Sequence, residues 1–118
     1  LINILFIIND CSFSRAREAI DMILGVSAFN ENIAILFLGS SVRLISNRDF
    51  KPNYAGERDF IKSMNLFNLY EINKIYYELD SISSMQSDFE LSNKIEAKPL
   101  THQEILTLFN ESKHRVML

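Results

Sequence analysis

INILFII, residues 2–8, and IAILFL, residues 33–38, are apolar runs of strand length, interrupted by polar Asn3 alone. A strand with one wet face alternates apolar and polar side chains, whereas a strand covered on both faces is apolar throughout. The two runs therefore read as buried strands of a parallel sheet, the first of them as its central strand. Between them, polar Asn9 to Ser14 form a loop, after which Ala16, Ile20, Ile23 and Leu24 recur at helical spacing opposite Arg15, Glu18 and Asp21. Ser14 is the expected N-cap.

The rest of the chain repeats the alternation. Gly39, Ser40 and Ser41 open a short helical turn, VRLIS. The polar segment 47–56 reads as a surface loop, and residues 57–68 as a helix with Phe60, Ile61, Met64 and Phe67 on one side. KIYYEL, residues 74–79, is a third strand, followed by a Ser-rich link with a short helix around Met85. A weak fourth strand is expected over Lys94 to Ala97. Thr101 and Glu104 then have capping-box spacing for a helix through Phe109, and HRVML, residues 114–118, closes as a fifth strand. Strands alternating with helices predict one α/β domain over residues 1–118, a three-layer α/β/α arrangement around a mostly parallel five-stranded sheet.

Composition narrows the chemistry. With 12 Lys and Arg against 15 Asp and Glu, the formal net charge is −3. The chain thus has no basic footprint for direct nucleic-acid binding. One cysteine allows no intrachain disulfide, and no apolar run approaches membrane-spanning length, so a reducing, cytoplasmic setting is expected. No GxGxxG, GxxxxGK[ST], CxxC or HExxH occurs, and neither a cofactor nor a metal is expected.

Ligands of open α/β sheets sit beyond the carboxyl ends of the strands. Here that means Asn9 to Ser14, Gly39 to Ser41 and Leu79 to Ser83. Cys11 in the first loop is a candidate persulfide carrier, a thiolate favoured by the following helix and by Arg15 or Arg17. Without a second thiol or a base beside it, an inert loop residue is the simpler reading. Gly39 to Ser41 could present N–H groups to an anion, though a plain strand-to-helix turn suffices. Asp10 and Asp80 read as solvated loop carboxylates, His102 as an exposed helix residue and His114 as structural. Phe60, Phe67, Tyr70, Tyr76 and Tyr77 are more aromatic bulk than a core this small needs, which makes them subunit-interface candidates.

REAIDMILGVSAF, NIAILFLGSSVRLI, ERDFIKSMNLFNLYEI, IEAKPL and HRVML resemble, in order and spacing, the DsrE/DsrF-like family, and within it the sulfur-relay branch. The resemblance implies a structural subunit of a TusBCD-type complex, joined with TusB-like and TusD-like subunits in a dimer of heterotrimers. Such an assembly takes persulfide sulfur from a TusA-like carrier and passes it through a TusE-like one, toward 2-thiolation of the tRNA wobble uridine. It also implies that the sulfur-bearing cysteine belongs to the TusD-like subunit, at the carboxyl end of the third strand. In this chain that segment is KIYYELDSIS, where Tyr77 and Glu78 stand instead of a thiol. The expectation is a subunit without catalysis of its own. The alternatives are a sulfurtransferase using Cys11, or a flavodoxin-like or receiver-like binding module with the same alternation.

Overall fold

The structure, a computed structural model, describes residues 1–9, 12–46, 63–67, 69–84, 89–91 and 95–118. Five parallel strands form one sheet in the order β4-β3-β2-β1-β5. They are β1 (Ile2–Ile8), β2 (Ile33–Phe37), β3 (Lys74–Glu78), β4 (Lys98–Leu100) and β5 (Ser112–Met117). The central strand is β2 and not β1. All five residues of β2 are buried, as expected of a strand covered on both faces and flanked on both edges.

Right-handed crossovers determine which face each helix covers. The chain steps from β1 to β2 to β3 in one direction, with α1 (Phe13–Ser27) and the described part of α2 (63–67) on one face. Ala16, Ile20 and Ile23 of α1, with Met64 and Phe67 of α2, pack there on Phe6, Ile8, Ile35 and Phe37. The return from β4 to β5 spans the sheet in the opposite direction, so α3 (His102–Glu111) lies on the other face. Its Ile105 and Leu108 cover Leu5, Ile7, Ala34 and Leu36. The two side-chain sets of β1 and β2 thus alternate between two cores, and the half-buried Asn3 of β1 is the one polar residue in the two strands.

Several element ends differ from the expectation. Ser12, not Ser14, caps α1; its backbone is extended and its hydroxyl accepts from the Arg15 N–H at 3.5 Å. Ser14 falls one residue inside the first turn. The fourth strand lies at Lys98–Leu100, beyond the expected Lys94 to Ala97, because Ile95 is buried against the α1 side while Lys98, Pro99 and Leu100 pair with Tyr76, Tyr77 and Glu78. Pro99 argues against a strand by composition, but an edge strand tolerates a residue without an N–H. The fifth strand begins two residues early, at Ser112. The expected loop over 47–56, most of the expected 57–68 helix and the turn around Met85 lie outside the described residues. Among the described residues, no helix is long and apolar enough to cross a membrane.

Candidate functional site

The carboxyl edge of the sheet brings together the end of β1, the turn after β2 and the end of β3. Each strand hands its chain to a helical segment: α1, the 3-10 helix η1 (Gly39–Ile45) and the 3-10 helix η2 (Leu79–Ser84). The Leu38 N–H donates to Ile8 O at 2.9 Å, which extends the β1–β2 ladder past the end of β2. Ser41, fully buried, sits with its Oγ 2.6 Å from Ile8 O and 2.7 Å from Leu38 O, so one hydroxyl proton serves two carbonyls. Gly39 makes the corner at φ +57°, a left-handed conformation costly for residues with a Cβ.

Glu78 closes the edge. Its Oε1 accepts the Gly39 N–H at 3.1 Å and the Ser81 hydroxyl as well, so one carboxylate ties the β2–η1 turn to the β3–η2 turn. Gly39 to Ser41 were anion candidates from sequence. The anion held at the Gly39 N–H is the chain's own Glu78. Sequence reasoning did not single out this contact, since nothing local marks two residues 39 positions apart as partners.

The other sequence candidates divide. Cys11, Asp10 and Phe60 lie outside the described residues. Asp80 and His102 are exposed, as expected. His114, expected to be structural, is exposed on the outermost strand. Phe67 is 1% exposed and Tyr77 is 7% exposed, so both belong to the core, and neither leaves much surface for a partner. Burial pushes the Tyr77 phenol above its ordinary value. Its ring lies 5.3 Å from that of Phe89 at a tilt of 37°. Tyr70 is half exposed at the end of α2, and Tyr76 is half buried facing α3. Of the five aromatics, these two retain surface among the described residues. No group of three or more His, Cys, Asp or Glu there could hold a metal.

In chemical terms, the described carboxyl edge holds a carboxylate that accepts from the Gly39 N–H and the Ser81 hydroxyl, and a Ser41 hydroxyl committed to backbone carbonyls. These groups fasten three turns together. The third strand ends on the buried Tyr77 and on Glu78, neither of which carries a thiol.

The sequence pattern of the DsrE/DsrF-like family matches residues 3–117. A TusC homolog from Aliivibrio fischeri is 36% identical over 66 residues, which is 55% of this chain and 54%, about half, of that protein. The TusC protein of Escherichia coli is 31% identical over 88 residues, covering 74% of this chain and 72% of its own length. Among solved structures, the ychN protein from E. coli superposes over 100% of both chains with a TM-score of 0.76 at 9% identity, a likeness of fold.

Proposed function

The chain belongs to the DsrE/DsrF-like family, and on that premise we propose that it is a non-catalytic structural subunit of a TusBCD-type sulfur-relay complex. It works in the cytoplasm, assembled with TusB-like and TusD-like subunits, and supports 2-thiolation of the tRNA wobble uridine without touching the RNA. The names of its relatives support a sulfur-relay role. The observation that carries the structural assignment is at the end of β3. Glu78 stands there instead of a thiol, and its carboxylate engages the Gly39 N–H.

The role of such a subunit is to hold partners in position. A sulfur carrier must present its persulfide to donor and acceptor proteins in turn, and orienting it is work that an inert neighbour can do. The test is co-expression with the TusB-like and TusD-like chains of the same genome, followed by native mass measurement. A dimer of heterotrimers containing this chain is expected; a stable chain that ignores both partners sinks the proposal. Intact mass after incubation with a persulfide donor examines the carrier alternative. The expected result is no added sulfur on this chain, whereas a sulfur adduct that a Cys11→Ala variant loses makes Cys11 the carrier.

A further inference from the structure

Among the described residues, no strand lies beyond β5, which makes it an edge strand of the described sheet. The Leu118 N–H donates to Ile7 O at 2.8 Å, which sets the alternation along β5. Backbone groups of His114 and Val116 turn toward β1 with those of Leu118. The N–H and C=O groups of Lys113, Arg115 and Met117 therefore point outward, an unpaired row of the kind that templates another strand.

The two faces flanking that row differ chemically. On the α3 side lie the side chains of Lys113 and Arg115, both exposed, with the Arg115 guanidinium 5.8 Å from the centre of the Phe109 ring. Met117 follows them, 63% exposed. On the α1 side a groove of about 370 Å³ opens at Leu118, just past the end of the strand, with Ile8, Ala16, Ala19, Met22 and Leu118 as its apolar lining. Arg15 and Glu18 complete its wall. The cations lie on an acidic chain, so their concentration here is local and not compositional.

We infer that the outer edge of β5 pairs with an extended segment of a partner subunit that sets carboxylates toward Lys113 and Arg115 and apolar side chains into the α1 groove. The inference rests on the hetero-oligomer reading above and specifies one of its contacts. Backbone pairing supplies the adhesion and the alternating side chains supply the selectivity, as in other strand additions to a sheet edge. A second copy of this chain is a poor occupant. The register that engages all three outward residues sets Arg115 against Arg115 of the other copy, and directly opposed like charges destabilise strand pairs.

The test uses the co-expressed assembly and residue-resolved hydrogen exchange. The Lys113, Arg115 and Met117 amides are expected to exchange on the order of a hundredfold slower than in an unstructured peptide, like the inward amides beside them. The double variant Lys113→Glu, Arg115→Glu should weaken capture of the partners by about tenfold or more. Met117→Pro removes one outward N–H while sparing the β1 ladder, and it too should weaken capture. If the assembly forms but the outward amides exchange at peptide rates, the edge inference is overturned and the hetero-oligomer reading stands. If the wild-type chain captures no partner, both fail together. Protection of the same amides in a homodimer of this chain alone also overturns the acidic-partner assignment. Should the double variant not fold, the exchange pattern and Met117→Pro still decide.

Discussion

Glu78 accepts the backbone N–H of Gly39 across 39 residues of sequence, at 3.1 Å, and so fixes the turn after β2 to the end of β3. The bond is charge-assisted and part-buried, and the Ser81 hydroxyl shares the same oxygen. Glu78→Ala leaves the Gly39 N–H without its carboxylate and should cost about 1–3 kcal/mol, read as a lower urea midpoint. Glu78→Gln keeps an acceptor oxygen and should cost less. Equal midpoints for wild type and Glu78→Ala would show that the tie adds nothing to stability.

Gly39 itself is the second testable point of that corner. At φ +57° a side chain is strained, and a Cβ there would stand 3.2 Å from Asn9 Oδ1. Gly39→Ala should destabilise by about 1–2 kcal/mol, and Gly39→Asn by less, because Asn tolerates the left-handed region. An alanine variant as stable as wild type would mean that the corner relaxes to negative φ at no cost.

The same conformation occurs at Glu71 without the residue that suits it. The Ile72 N–H donates to Phe67 O at 2.9 Å and the Tyr70 N–H to Leu66 O at 3.1 Å, the bonding of a helix closed by a left-handed residue. That residue is Glu71, at φ 59° and exposed. Relief of the strain makes Glu71→Gly a stabilising substitution, by about 1 kcal/mol, despite the entropy that glycine adds to the unfolded chain. Thermal or urea unfolding measures it, and a loss of stability would mean that the Glu71 side chain makes contacts worth more than the strain.

These sites also mark where the sequence is legible. INILFII and IAILFL reveal buried strands because near-continuous apolarity has few other uses at that length, and Thr101 with Glu104 reveals a helix start because the capping box is a local device. Strand order is not local. That β2 and not β1 is central, and that the charged β5 is an edge, follow from how the crossovers turn, which no spacing records. Ser12 and Ser14 are equally good caps by type, and only backbone conformation separates them. The carboxyl-edge turns were locatable from the ends of the strands, yet the Glu78–Gly39 bond that defines them is a product of register between β2 and β3.

The capping box supplies the pH-dependent prediction. Thr101 Oγ1 accepts the Glu104 N–H at 3.3 Å, and the Glu104 carboxylate accepts the Thr101 N–H at 3.0 Å. The Thr101 backbone bond, then its side-chain bond, hold the Glu104 carboxyl below its usual value. A carboxyl more acidic in the folded state binds its proton more readily in the unfolded one, so its contribution is complete above the unfolded pKa. It is lost as pH falls through the folded value. Stability should therefore decline on acidification through the ordinary carboxylate range, and Glu104→Gln should flatten part of that slope. Thr101→Ala removes the cap itself, should cost about 1 kcal/mol at neutral pH, and should return the Glu104 titration, followed by NMR, toward that of a free side chain. An unchanged Glu104 titration in Thr101→Ala would show that the Thr101 backbone N–H sustains the acidity without the side-chain bond.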